Sequence, residues 1–381
     1  GHQSSKDQQL SDHYFSSIPE RVMCFIQDFE YTAHKLGIPV KTRHNEVAPN
    51  QFECAPLFEE VNLAVDHNQL LMDIMKRTAR KHKFRVLLHE KPFAGINGSG
   101  KHNNWSMATN TGKNLLSPGK NPKTNLQFLT FLVNVIKAVH DSNELIRASV
   151  MNESNSWRLG GHEAPPAIIS VFLGSYLLSI LDDLSKKVTD RKMTPAQKTE
   201  LKLGIGKIPE ILLDNTDRNR TSPFAFTGNR FEFRAVGSSA NCSAAMIALN
   251  SAVAYQLTKF KEEVDQIIKK GRNKDEAIFQ VLKKYILESE NVLFEGDNYS
   301  KEWHAEAARR KLCNIAGVPD SVKCYLTEGS RKVLVGSGIF TNKELESRVE
   351  VEYEKFTKKV QIEARVLGDL AINHIVPTAI K

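Results

Sequence analysis

Five short stretches of the chain hold the residues best suited to chemistry. "HNEVAPNQFECAP" (44–56) sets Glu46 and Glu53 seven residues apart. An unbroken strand would send them to opposite faces, because side chains alternate with a period of two. Pro49 and Asn50 lie between them, and a proline interrupts a strand, so a bend there lets both carboxylates converge. "GINGSGKHNNWSM" (95–107) crowds three glycines before His102, which marks unusual backbone dihedrals or a close approach to another group. "SWRLGGHEAPPA" (156–167) carries Arg158 and Glu163, "TDRNRTSPFAF" (216–226) carries Arg218 and Arg220, and "NRFEFRAVG" (229–237) carries Glu232 and Arg234. Each stretch alone also fits a plain structural role: exposed glutamates, a surface turn, an acid near a helix N-terminus. The glycine loop is neither a Walker A motif nor GxGxxG. By itself it leaves three readings open: a phosphate cradle, a metal-bearing loop or a simple turn.

These residues need elements to position them. Residues 59–83 place Val61, Ala64, Val65, Leu71, Met72 and Met75 at helical spacing. "RVLLHE" (85–90) reads as a strand leading to the glycine loop. Residues 125–147 and 166–187 read as long apolar helices that pack on a sheet. In 229–237, Phe231 and Phe233 point one way while Glu232 and Arg234 point the other, towards a solvated face or cleft. From about residue 256 the sequence turns charged and helical, so a domain boundary is expected near 255, giving units 1–255 and 256–381. Strands and helices mix without a regular βαβ rhythm, which argues an α+β fold.

The bulk numbers bound the function. The chain has 381 residues, 41% hydrophobic and 25% charged, the balance of an ordinary globular protein. It has no run of eighteen apolar residues and no signal-peptide pattern, so no membrane partner is expected. Net charge is +8, but the basic residues are scattered apart from "MKRTARKHKFR" at 75–85, the solvated face of a helix, so nucleic acid is not expected either. The five cysteines show no CxxC spacing, which points to reduced thiols and a cytoplasmic protein. The opening "GHQSSKDQQL" lacks an initiator Met and reads as a cloning scar or the cut end of a longer chain.

Taken in order, "NEVAPNQFE", "HEKPFAGINGSGKHNNWS", "RLGGHEAPPA", "DRNRTSPFAF" and "RFEFRAVGSS" resemble the catalytic core of glutamine synthetase. The wording is most like the large type III branch. The resemblance is strong across about residues 12–250 and weaker through the helical remainder. It implies an antiparallel sheet packed by helices, followed by a helical C-terminal segment. It implies two or more Mg²⁺ or Mn²⁺ ions, with Glu46 and Glu53 on one and His102 and Glu232 on the other; Glu46 would also border the ammonium site. Asn97 and Gly98 would hold the substrate glutamate, and Arg158 and Arg234 its carboxylate groups. Glu163 would lie on a flap over the intermediate, Arg220 would face the transferred phosphoryl group, and Ser106 would contact the nucleotide.

The implied reaction joins ammonia to the γ-carboxylate of glutamate, with ATP as co-substrate, through γ-glutamyl phosphate. Two cations and several arginines suit phosphoryl transfer, where positioning and charge neutralisation dominate. The resemblance also implies homo-oligomeric rings. The family's "ExE" metal strand and N-terminal β-grasp domain have no counterpart in residues 1–43, and "VPTAIK" looks cut, so this chain alone is expected not to turn over. No arginine follows Arg220 before Arg230, which departs from types I and II. Two other readings compete: a catalytically silent homologue, and a ligase joining glutamate to another amine.

Overall fold

The computed structural model describes residues 16–160, 167–186 and 221–381. Helix α1 (Glu20–Lys35) precedes a hairpin of β1 (Val40–Asn45) and β2 (Phe52–Pro56). Helix α2 (Val61–Lys81) begins where the Glu60 carboxylate accepts the backbone N–H groups of Asn62 and Leu63 at 3.0 and 3.2 Å. That cap satisfies two of the donors every helix start leaves open. Phe29 and Ala33 of α1, Val40 of β1 and Leu71 and Ile74 of α2 form a small core, so the hairpin rests on the helix pair.

A four-stranded sheet holds β3 (Gly100–Trp105), β4 (Val171–Phe172), β5 (Phe224–Phe226) and β6 (Phe231–Gly237), in the order β3-β6-β5-β4. Its pairings are antiparallel except β4 with β5. The expected alternation of β6 holds on one face: Phe231 and Phe233 are buried, and Phe224 stacks on Phe231 with centroids 4.4 Å apart. On the other face Glu232 is half-buried, but Arg234 is fully buried rather than solvated, because other polar segments cover it.

Helices α3 (Leu126–Asp141) and α4 (Asn143–Ser149) replace the single helix expected over 125–147. The break is Ser142, which leaves helical dihedrals (φ −109°, ψ 24°). Short α5 (Glu153–Arg158) follows. The expected helix over 166–187 starts only with α6 (Ser175–Lys186); before it, Val171–Phe172 joins the sheet. "AIISVFLG" is rich in β-branched residues, which favour that course. Residues 85–90, expected as a strand, join no ladder among the described residues; Ser238 Oγ donates to Leu88 O at 2.7 Å.

Helix α7 (Ser243–Lys269) passes through residue 255 without interruption, and α8 (Lys274–Ser289) packs beside it on α3. Ala252 and Val253 before that point and Phe260 and Val264 after it lie in one core with the sheet phenylalanines. The change in composition near 255 thus falls within this helix. Then come α9 (Lys301–Arg309), α10 (Val318–Lys323), α11 (Glu328–Leu334), the long α12 (Asn342–Leu370) and terminal α13 (Val376–Ile380). The fold is α+β with a helical C-terminal part, as the residue pattern predicts. Among the described residues no helix is long and apolar enough to cross a membrane.

Candidate functional site

The hairpin turn does what Pro49 and Asn50 imply. Asn50 adopts φ 55°, a left-handed conformation asparagine tolerates better than most residues. Gln51 N donates to Ala48 O, and Glu46 N donates to Gln51 O at 2.9 Å. The chain reverses, and His44 comes to face Glu53 directly across the ladder. Its Nε2 lies 3.0 Å from Glu46 Oε1 and 3.5 Å from Glu53 Oε2. One donor atom from each of the three residues falls within 4.8 Å of the others, a spacing that suits a metal ion. The bend thus gathers both glutamates and adds His44, which the sequence reading left without a role. The sequence signal was only the proximity of His44 to Glu46, two residues apart at the end of β1. Burial, then the carboxylates of Glu53 and Glu30, push the neighbouring Cys54 thiol up to about 12, so it offers no thiolate beside them.

The turn also grips the glycine loop. Gln51 Nε2 donates to Gly98 O at 3.0 Å and to Ser99 Oγ at 2.7 Å. Beyond the loop, on β3, His102 Nδ1 lies 3.2 Å from Glu232 Oε1 on the adjacent β6. Glu46, Glu53, His102 and Glu232 are therefore assembled as two pairs, linked through Gln51 and the loop. Among the described residues His44, Glu46 and Glu53 are the group of three or more donors at metal spacing. Asn97 is half-buried in the loop. Exposed Ser106, just past β3, donates to Asn114 Oδ1 at 2.9 Å and to Asn229 O at 3.2 Å; Arg230 Nε reaches Asn104 Oδ1 at 3.2 Å in the same region.

Behind the loop lies a buried polar layer. Glu90, fully buried, accepts Ser239 N and Oγ at 2.9 and 2.8 Å and the hydroxyl of Ser154, and its own carbonyl accepts Ser99 N at 2.8 Å. It was missed in the sequence, where "HEKPF" gave no period to show it buried. Arg158 is also buried; Nη2 donates to Arg234 O at 2.8 Å and Nη1 to Asn155 Oδ1 at 3.0 Å. Burial pushes its guanidinium down to about 10, with the Glu90 charge opposing the shift, so it stays a cation at neutral pH. Arg234 Nη2 donates to Thr221 O and Ser222 O at 2.9 and 2.6 Å. In this structure both arginines tie the backbone behind the loop together. A glycine there is obligatory: a Cβ on Gly98 would meet Glu90 O at 2.5 Å, and one on Gly100 would meet Arg158 Nη2 at 2.0 Å. Glu163, Arg218 and Arg220 lie outside the described residues.

Residues 2–169 match the family model described as glutamine synthetase, catalytic domain, and residues 277–381 match that of the glutamine synthetase C-terminal domain. A glutamine synthetase of Bacteroides fragilis is 66% identical over 380 residues, covering 100% of this chain and 52% of its own length. The type-3 glutamine synthetase of Dictyostelium discoideum is 43% identical, covering 99% of this chain and 51% of its own. The chain spans about half the length of the curated relatives it matches. The fold is shared with the glutamine synthetase of Plasmodium falciparum, seen by electron cryomicroscopy, at a TM-score of 0.58 and 14% identity over 92% of this chain and 62% of that one.

Proposed function

Since this chain belongs to the glutamine synthetase family, we propose that it supplies the catalytic core of an ATP-dependent ligase joining ammonia to the γ-carboxylate of L-glutamate, with γ-glutamyl phosphate as intermediate. The observation that carries this reading is the hairpin bend, which gathers Glu46 and Glu53 with His44 and ties them through Gln51 to the loop that leads to His102 and Glu232. Carboxylates with one imidazole suit Mg²⁺ or Mn²⁺. Glu46 and Glu53 would hold one such cation, and His102 and Glu232 another. When bound, the cations would neutralise phosphate charge, which is most of what phosphoryl transfer requires.

The chain's own residues do the rest. Glu46 would border ammonium and accept its proton. Asn97 and Gly98 would fix the glutamate. Arg158 and Arg234 act from behind: with their guanidinium groups on backbone carbonyls, a substrate carboxylate would reach them only if those bonds rearranged. Ser106 is assigned to the nucleotide, Arg220 to the phosphoryl group and Glu163 to the flap, which would keep water from the acyl phosphate. Homo-oligomeric rings and a cytoplasmic setting complete the reading; all five cysteines are free thiols, which fits a reducing compartment.

The test is glutamine formation from glutamate, ammonium and Mg-ATP in a chain of the relatives' full length. Glu53→Gln and Glu232→Gln should each lower it by about 100-fold or more, since even groups that only orient metal ligands cost about 10–100-fold. Turnover unchanged in both variants would remove these residues from the site. A full-length chain that binds Mg-ATP but forms no glutamine would favour the silent homologue.

A further inference from the structure

We propose that Glu90 is a positioning residue for glutamate use: its buried carboxylate is the counter-charge that keeps the Arg158 guanidinium packed against the glycine loop, and so keeps Asn97 and Gly98 in place. The inference rests on the reading of that loop as the glutamate-holding element and adds to it a residue that touches no substrate.

The first observation is a mismatch between the charge of Glu90 and its hydrogen bonds. Among the described residues its carboxylate accepts from neutral donors, the N–H and hydroxyl of Ser239 and the hydroxyl of Ser154. A carboxylate buried this fully keeps its charge only with an opposite charge near it. Arg158 shows the complementary mismatch. It is buried, and its hydrogen bonds end on neutral oxygens of Asn155, Arg234 and Val236. Of the charges acting on it, that of Glu90 is the strongest, and it opposes the effect of burial.

The second observation is how closely the loop lies on this pair. A Cβ on Gly98 would meet Glu90 O at 2.5 Å and Arg158 Cγ at 3.0 Å. One on Gly100 would strike the guanidinium, and one on Gly237 would strike the Glu90 carboxylate. With no room between them, a shift of the guanidinium displaces the loop. The Glu90 charge also reaches Lys101, but that ammonium is already seated on Ala240 O and Met72 Sδ. Glutamine at position 90 has nearly the same shape, and the serine hydroxyls can turn to accept from its amide, so Glu90→Gln removes the charge and keeps the hydrogen bonds. Arg158 is then an unpaired buried cation, which favours its movement towards water.

The experiment measures glutamine formation in a chain of the relatives' full length, with glutamate and Mg-ATP varied in turn. Glu90→Gln should raise KM for glutamate about tenfold and leave KM for ATP and kcat within about threefold, since a misplacement of about 1 Å is enough to cost this much. Ser154→Ala and Ser239→Ala, which remove hydrogen bonds and keep the charge, should lower the melting temperature without a comparable rise in glutamate KM. In the Arg158→Gln background, Glu90→Gln should add no further rise, because the two residues act as a unit. That double variant has no unpaired buried charge, so it carries the test if Glu90→Gln alone fails to fold by circular dichroism. Glutamate KM unchanged in Glu90→Gln, KM for ATP raised equally, or effects that add in the double variant overturn the proposal and leave the functional reading standing. A wild-type full-length chain that forms no glutamine brings down the functional reading and the proposal with it.

Discussion

Gly100 is fixed by the guanidinium beside it. Arg158 Nη2 would lie 2.0 Å from an added Cβ, and that group cannot swing away without leaving Arg234 O. Gly100→Ala should therefore destabilise the chain by about 1–3 kcal/mol, the usual range for overpacking. Gly368, inside α12 with nothing within 4 Å of its Cβ position, is the control. There alanine should stabilise by about 0.5–1 kcal/mol. Urea unfolding of the two variants checks this, and equal stability of Gly100→Ala and wild type would dismiss the close approach. The sequence made the glycines legible as a close approach and the acids as a convergent pair. It hid what the glycines approach, because Arg158 comes from a distant segment and no period in "HEKPF" marks Glu90 as buried. His44 was hidden for another reason: its neighbours already sufficed for a site.

Helix α3 shows how an element can end against its own electrostatics. Asp141 sits at the C-terminus, where the helix dipole disfavours an acid. Burial alone would raise its carboxyl; hydrogen bonds from His140 and Lys137 outweigh that and hold it below its ordinary value, with both Lys137 Nζ contacts at 2.6–2.7 Å. A carboxyl depressed in the native state binds protons more weakly there than in the unfolded chain. Its stabilisation is then full above about pH 4 and fades as pH falls through the depressed native value. The gap in melting temperature between wild type and Asp141→Asn should be open at pH 5–7 and close below that range; a gap independent of pH would mean that the charge contributes nothing. Elements with clear periods, such as α2 and β6, were legible. Strand β4 was not: its two residues gain their pairing from β5, more than fifty residues on, and an apolar run carries no period that separates strand from helix. Residues 85–89 failed for the converse reason, since strand-like composition needs a ladder partner to become a strand.

At the scale of the whole molecule, one core runs from Trp105 through the sheet and α7 to Leu345 at the start of α12. Helix α12 leaves that core almost at once. Leu345 and Val349 are buried, Tyr353 and Phe356 pack partly, Tyr353 OH donates to Pro319 O at 3.1 Å, and Lys359 pairs with Glu153 of α5. Beyond that pair the side chains are almost all exposed, including Ile362, Val366 and Leu367. Amide hydrogen exchange should accordingly be slow over 345–359 and quicken progressively towards 380; uniform protection would show that the far stretch is held as firmly as the near one. At 1.5 Å per residue, the stretch past Lys359 projects about 30 Å. Mechanically it is a lever clamped at its Lys359 end. The outermost clamp is a salt bridge to the first residue of α5, whose last residue, Arg158, backs the glycine loop. A load applied at the tip acts on that clamp through the whole length of the arm, so a small force there exerts its largest torque next to the loop.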